Sequence, residues 1–156
     1  MKKKIDLFQQ AKDYAFLLLR FRPRTEKEIS QRLKKKGFSE EVIEKILVFL
    51  RKNNFINDAS FAQAWIESRL KKPLGINRIK QELILKGIDK AIIDSKINEI
   101  LKDYSEEKIV TEIARKRFKR LENLPIDKTK RRIYDYLLRR GFSQEIVNDV
   151  ISRLLD

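Results

Sequence analysis

The residues with the clearest chemical potential in this sequence are Lys and Arg, which gather in clusters along the chain. One cluster reads Arg20-Phe21-Arg22-Pro23-Arg24, a second lies at residues 69–86, and the richest lies at residues 115–140. Such clusters suit a phosphate backbone or a long acidic groove. The chain carries 37 Lys and Arg against 23 Asp and Glu, which gives a formal net charge of +14. This surplus predicts a polyanionic partner or an acidic protein surface.

Part of this charge has simpler explanations. A Lys-rich surface can reflect composition bias, and helix C-termini recruit cations through the helix dipole. The dipole accounts for some of the cations beside Gly37, Gly87 and Gly141, but not for those around Pro23 or for Arg131 and Arg132. We therefore predict a cationic binding surface. Its predicted members are Arg20, Arg22, Arg24, Lys35, Arg69, Lys72, Arg78, Lys80, Lys86, Arg117, Lys130, Arg131, Arg132, Arg139 and Arg140.

Several classes of function are disfavoured. The chain contains no His and no Cys, which removes Ser-His-Asp and Cys-His sites and the commonest metal ligand. Its four Gly are too widely spaced for a phosphate-binding loop. The longest apolar run, Tyr14 to Leu19, is too short to span a bilayer. We expect a cytoplasmic protein with no enzyme activity, no cofactor and no metal.

The elements that position the cations follow a repeat of about 50 residues, the period of a helical tandem array. Gly37, Gly87 and Gly141 each follow an Ile by eight residues and a Leu by four, and a Pro lies 14 to 16 residues earlier. Each Gly predicts a helix end with positive φ, followed by the N-cap of the next helix. We predict an all-α fold of three tandem three-helix repeats forming an elongated, curved array, with a compact nine-helix globule as the alternative.

Capping signals place the helices within each repeat. Thr25 and Glu28 have the spacing of a capping box, and either Asp58 or Ser60 is expected to cap the fourth helix. The predicted domains are an N-terminal arm at 1–7 and repeats at 8–56, 57–103 and 104–156.

Sequence-specific reading of DNA bases is not favoured. The helix after glycine has an acidic start, at Glu40 and Glu41, and continues as an apolar face, whereas the basic charge lies on the helix before glycine. A recognition helix would carry the basic charge itself. Trp65 and Phe118 could stack on bases, but both fall at core-facing positions. Contact with a nucleic-acid backbone or a protein surface fits the sequence better.

At these motifs the sequence resembles the RecX family, the regulators of the RecA recombinase. The resemblance covers nearly the whole chain and all three repeats in order, and it is most specific from Asp58 to Asp89. The segments that carry it are Tyr14-Ala15, Arg22-Pro23-Arg24-Thr25, Leu33 through Ile43, Asn57 through Ala62, Trp65 through Arg69, Gly75 with Arg78 through Leu83, Lys86 through Asp89, and Tyr134 with Leu137 and Arg139 through Ser143.

This resemblance implies a non-enzymatic modulator, mostly an inhibitor, that lies in the groove of the RecA–single-stranded-DNA filament. It would suppress filament growth, ATP hydrolysis, strand exchange and coprotease activity in DNA repair, homologous recombination and the SOS response. The implied partners are the RecA filament and single-stranded DNA, with double-stranded DNA left open; we expect a monomer and no membrane partner. Two alternatives remain: a DNA-binding module that acts through its basic surface without RecA, and a structural adaptor.

Overall fold

The computed structural model describes residues 6–155, and within this range the chain forms nine α-helices and no strand. The proposed N-terminal arm lies almost entirely outside the described residues. The helices are α1 (Leu7–Phe21), α2 (Glu26–Lys36), α3 (Glu40–Lys52), α4 (Asp58–Leu70), α5 (Ile76–Leu85), α6 (Lys90–Leu101), α7 (Glu106–Arg120), α8 (Ile126–Arg139) and α9 (Gln144–Leu155).

The start of α2 has the predicted capping box. The N–H of Glu28 donates to Thr25 Oγ1 (3.2 Å), and the N–H of Thr25 donates to Glu28 Oε2 (3.1 Å). These two bonds satisfy N–H groups that a helix start otherwise leaves unpaired.

The predicted cap of α4 is wrong. The N–H of Ser60 donates to Asn57 Oδ1 (3.0 Å), so Asn57 holds the cap position. Asp58 instead accepts a hydrogen bond from the N–H of Glu26 (3.0 Å) at the first residue of α2. Because Asn, Asp and Ser cap helices about equally well, local sequence could not separate the three candidates.

Within the described range the chain divides into two compact units, and the division falls inside the middle repeat of the sequence. The first unit comprises residues up to Ala64 together with Leu83–Ile93. In this unit α1, α2 and α3 pack against one another. Their buried side chains are Ala11, Ala15, Leu18, Ile29, Leu33, Ile43, Ile46, Leu47, Leu50 and Ile56.

The second unit comprises Trp65–Glu82 and the residues from Asp94 onward. Here α7, α8 and α9 pack together around Val110, Ala114, Ile133, Leu137, Phe142, Val147, Val150 and Ile151. The expectation that Phe118 faces the core is wrong, since its side chain is 36% exposed. It lies one turn beyond Ala114 and lines a shallow pocket of 170 Å³ with Leu154 and Leu155.

Three Gly junctions end α2, α5 and α8; we define them as Lys34–Phe38, Ile84–Ile88 and Leu138–Phe142. Their glycines have φ values of 97°, 80° and 85°, the left-handed conformation that the sequence predicts. Each junction closes with the same pair of bonds, from the Gly N–H to the carbonyl three residues earlier and from the next N–H to the carbonyl five residues earlier.

Two of these junctions receive the start of another helix. In the second unit, the N–H groups of Gly75 and Asn77 donate to the carbonyls of Arg140 (2.8 Å) and Gly141 (3.1 Å). The N-terminus of α5 thereby meets the C-terminus of α8, which pairs opposite ends of two helix dipoles.

In the first unit a helix start also meets a junction, but here a side chain, not a backbone N–H, donates the hydrogen bond. The hydroxyl of Thr25 donates to the carbonyl of Lys86 (2.7 Å), and the side chain of Lys27 covers Gly87. The start of α2 therefore lies against the end of α5.

Candidate functional site

In the first unit, Glu28 gathers two of the predicted site cations. Arg22 forms two bonds with its carboxylate, Nη1 to Oε2 and Nη2 to Oε1, both 3.1 Å, and Lys86 Nζ lies 3.1 Å from Oε1. Burial raises the pKa of Glu28, but the hydrogen bonds from Arg22, Lys86 and the Thr25 N–H outweigh it and lower that pKa to about 2. Glu28 is therefore a carboxylate at neutral pH, and it holds Arg22 and Lys86 in place.

The other predicted cations of this unit differ in exposure. Arg24 is half-buried, and its Nε donates to the carbonyl of Leu18 (3.3 Å). Burial, followed by the positive charge of Arg22, lowers the pKa of Arg24. Arg20, in the last turn of α1, and Lys35, in the last turn of α2, are exposed, and neither pairs with any residue that the structure describes.

In the second unit, Glu82 gathers another pair of site cations. Its Oε2 accepts from Arg69 Nε and from the indole N–H of Trp65, each at 2.9 Å, and Arg78 Nε lies 3.5 Å from Oε1. The guanidinium of Arg69 also lies over the Trp65 ring, 4.4 Å from its centroid. In this arrangement the Trp65 side chain is half-buried.

A third group forms around Tyr136 in the same unit. The guanidinium of Arg117 lies 3.2 Å from the centroid of the Tyr136 ring, and that of Arg140 lies 5.1 Å away. Such cation–π contacts hold a guanidinium against a ring without neutralising its charge.

Of the remaining predicted residues, two are half-buried and four are exposed. Lys80 is half-buried and makes a long ion pair with Asp94 (3.8 Å), and Lys130 is half-buried in α8. Lys72, Arg131, Arg132 and Arg139 are exposed and have no acidic or aromatic partner among residues 6–155. Together with Arg20 and Lys35, these four are called the open cations below.

One cleft joins a paired cation to an open one. Arg78 and Arg139 line a cleft of 460 Å³ beside the contact between α5 and α8, together with Asn77, Gln81 and Gln144. Arg131 and Arg132, in contrast, lie outside this cleft on the exposed face of α8.

The sequence interpretation missed a set of exposed apolar side chains in the first unit. Phe21 is 79% exposed and Leu17, one turn earlier, is 47% exposed; Leu85 and Ile84 at the end of α5 are 78% and 56% exposed. Phe21 adjoins Arg22 and Leu85 adjoins Lys86, so both flank the cations bound to Glu28. The i,i+4 spacing of Leu17 and Phe21, away from the buried stripe of α1, was the signal that could have revealed them.

Among residues 6–155, no group of three or more Asp and Glu side chains could hold a metal ion, and no helix is long and apolar enough to cross a membrane. The arrangement that the structure does present is ionic and apolar surface, which can bind a partner.

Comparison with known proteins decides the family. Models of the RecX first, second and third three-helix domains match residues 11–50, 57–96 and 105–151. The chain belongs to the RecX family. The predicted all-α class with three tandem three-helix domains is thereby confirmed.

Curated relatives and solved structures agree with RecX membership. The chain is 33% identical to "Regulatory protein RecX" of Clostridium beijerinckii over 150 residues, which span 95% of this chain and 70% of the relative. It is 35% identical to the protein of that name from Amycolatopsis mediterranei over 149 residues, spanning 95% and 85%.

The structural comparison gives the same answer. The crystal structure of RecX from Lactobacillus salivarius superposes with a TM-score of 0.82 at 26% identity, covering 94% of this chain and 96% of the other. A second crystal structure, of regulatory protein RecX, superposes with a TM-score of 0.81 at 26% identity, covering 93% and 73%. These RecX matches support a regulatory role for the chain.

Proposed function

We propose that this chain is a non-enzymatic modulator, mostly an inhibitor, that binds in the groove of the RecA–single-stranded-DNA filament. Bound there, it would suppress filament growth, ATP hydrolysis, strand exchange and coprotease activity. The observation that carries the proposal is the match of three RecX domains in order along the chain. A RecA partner would also place the protein in the cytoplasm.

The charge distribution supports a partner that contains DNA. The net charge is +14, and the open cations have no carboxylate of their own within the described range that would compete with a phosphate. The paired cations Arg22, Arg69, Arg78 and Lys86 must give up or share a carboxylate before they contact a partner. We therefore propose the open cations as the main contacts, and the rest of the predicted set stays a prediction.

The apolar side chains beside Glu28 favour a partner that also presents protein. Exposed apolar groups rimmed by charge are typical of protein–protein interfaces, and bare DNA offers no comparable apolar surface on its backbone. A filament that carries both RecA and DNA can satisfy Phe21 and Leu85 as well as the open cations. Many modest contacts of this kind make affinity multivalent and dependent on salt.

The test is a titration of the ATPase activity of RecA filaments on single-stranded DNA. Wild-type protein should suppress ATP turnover at substoichiometric amounts, and the double variant Arg131→Glu with Arg132→Glu should require about tenfold more protein or greater, because phosphate contacts then become repulsive. The matched control is Lys90→Glu with Lys102→Glu, two exposed positions outside the predicted surface. Both double variants lower the net charge by two units per site.

The two double variants distinguish a specific contact at Arg131 and Arg132 from an effect of net charge. Equal loss in both double variants would mean that net charge alone matters, and no suppression by wild-type protein at low salt would remove the proposal.

An autonomous DNA-binding module remains the second candidate. The exposed pair Arg131 and Arg132 favours it, because their contact with phosphate does not require RecA. Fluorescence anisotropy with a labelled single strand, bare and coated with RecA, distinguishes the two. Tight binding to bare DNA with no gain on the filament would favour the module.

A further inference from the structure

The three Gly junctions have the same backbone geometry, but only two of them are covered. The side chain of Lys27 covers Gly87, and the backbone of Arg78 lies against Gly141. The carbonyls beside these glycines accept hydrogen bonds from the starts of α2 and α5. Each covered junction is thus a receptor for the first turn of another helix.

The Gly37 junction is the same receptor without an occupant. Gly37 donates to the carbonyl of Lys34 (3.0 Å) and Phe38 to that of Leu33 (3.2 Å), as at the other two junctions. Yet, apart from Gly37 itself and its two chain neighbours, no atom of the described chain lies within 4 Å of a Cβ placed on Gly37. In the same range, no group donates a hydrogen bond to the carbonyls of Lys36 or Gly37, which correspond to the accepting carbonyls of Arg140 and Gly141.

We propose that the Gly37 junction docks the first turn of a RecA helix that carries Asp or Glu near its start. This inference rests on the proposed function for the identity of the partner. A helix start presents up to four N–H groups without intrahelical acceptors, and the carbonyls of Lys36 and Gly37 can accept from them. The occupant would repeat the contact that α5 makes with the end of α8.

The charge around the junction selects an acidic first turn. Lys34, Lys35 and Lys36 are all exposed in the last turn of α2, and acidic residues are favoured in the first turn of a helix by its dipole. Lys34 reaches Glu40 at 3.6 Å, but both side chains are mostly exposed, so that pair is easily exchanged for a partner's carboxylate.

A second copy of this chain fits the junction less well. The helix equivalent to α2 and α5 is α8, which begins after Pro125 without a side-chain cap bond. Its first turns carry Lys128, Lys130 and Arg131 against Asp127. These cations would meet Lys34–Lys36 and repel them.

The absence of Cys from the sequence allows a direct test. Gly37→Cys and, as control, Ser60→Cys each introduce a single thiol at an exposed position of the first unit. Labelling with a maleimide should slow about tenfold at position 37 when the protein joins RecA filaments, with less slowing at position 60, since a docked helix excludes the reagent. A benzophenone maleimide at position 37 should crosslink to the first turn of a RecA helix that carries Asp or Glu.

Each other result overturns the docking proposal. These results are equal labelling rates at position 37 with and without filament, equal protection at both positions, and crosslinks to DNA, to a second copy or to RecA segments elsewhere.

A functional variant separates this inference from the proposed function. Gly37→Asn keeps a residue that tolerates the left-handed conformation and places its side chain in the open space. It should retain the fold and weaken filament binding about tenfold, as expected for a contact at an interface centre. If wild-type protein fails to inhibit RecA, the proposed function fails; if it inhibits and Gly37→Asn binds equally well, the docking site alone is refuted.

Discussion

The backbone of Arg78 lies directly against Gly141, so that a Cβ added at Gly141 would overlap the N and Cβ of Arg78. Gly141 therefore meets two requirements, a positive φ of 85° and close approach of the α5 backbone. Gly37, with a φ of 97°, meets the first requirement and faces open space. Identical local motifs thus carry different structural constraints.

Substitution of Gly37 and Gly141 by Ala should separate the cost of a positive φ from the cost of close backbone packing. Gly37→Ala should cost about 1–2 kcal/mol of unfolding free energy, the usual penalty for a left-handed Ala. Gly141→Ala should cost about 1–3 kcal/mol more, because overpacking against Arg78 adds to that penalty. Urea unfolding followed by circular dichroism measures both, and equal costs would contradict the close packing of α5 on α8.

Glu28→Gln should reduce the dependence of stability on pH. The pKa of Glu28 is lowered to about 2 in the folded protein from an ordinary value of 4.5. A carboxylate with a depressed pKa stabilises the fold above the unfolded value, and this contribution disappears as pH falls toward the folded value. After allowance for solvent screening, Glu28→Gln should lose about 1–2 kcal/mol at pH 7 and little near pH 2.

The control for this prediction is Glu41→Gln. Lys45 bonds to Glu41 one turn away on α3 and lowers its pKa, but both side chains are largely exposed. Unfolding measured from pH 7 to pH 2 should show a much smaller change for this variant than for Glu28→Gln. Equal pH profiles for the two variants would mean that the Glu28 cluster adds no more than a surface pair.

Removal of a paired cation should mainly lower stability, whereas removal of an open cation should mainly weaken filament binding. Arg69→Gln breaks the bond to Glu82 and the contact with Trp65, so it should cost about 1–2 kcal/mol of unfolding free energy. Arg132→Gln removes an exposed side chain and should stay within about 0.5 kcal/mol of wild type. Thermal and urea unfolding test the first effect, and filament binding should show the reverse order.

Phe21→Ser should affect binding without affecting the fold. Because Phe21 is 79% exposed, its removal should change unfolding free energy by less than about 0.5 kcal/mol. If Phe21 anchors the chain on RecA, the concentration that half-suppresses filament ATPase should rise about tenfold. Val48→Ser, which removes another exposed apolar side chain of the same unit, is the control; equal effects would show that exposed apolar area contributes in general and Phe21 in particular does not.

Local patterns in the sequence determined the helices and the Gly ends of α2, α5 and α8, but not the cap of α4. The Pro and Gly positions, the capping box at Thr25 and Glu28 and the three-four spacing of apolar residues each act within a few residues. The left-handed conformation at Gly37, Gly87 and Gly141 follows from the same local chemistry, and the structure has it at all three positions. The resemblance to RecX rested on sequence segments such as Leu33 through Ile43 and Lys86 through Asp89, and the family matches confirm it.

The tertiary structure decided which of the predicted cations form ion pairs with carboxylates. Packing between separate helices brings Lys86 to Glu28 and Arg69 to Glu82, so the sequence could not mark these two cations as paired. The pairs of Arg22 with Glu28 and of Arg78 with Glu82 are local, six and four residues apart.

The three junction glycines also show what sequence and tertiary structure each decide. The sequence marks three equivalent helix ends, but the neighbour that covers Gly87 or Gly141 comes from residues about 60 positions away, such as Lys27 and Arg78. Backbone conformation depends on adjacent residues, whereas whether a surface is covered depends on how distant segments of the chain pack. For that reason the sequence predicted the turn at Gly37, and only the fold showed that its docking surface is open.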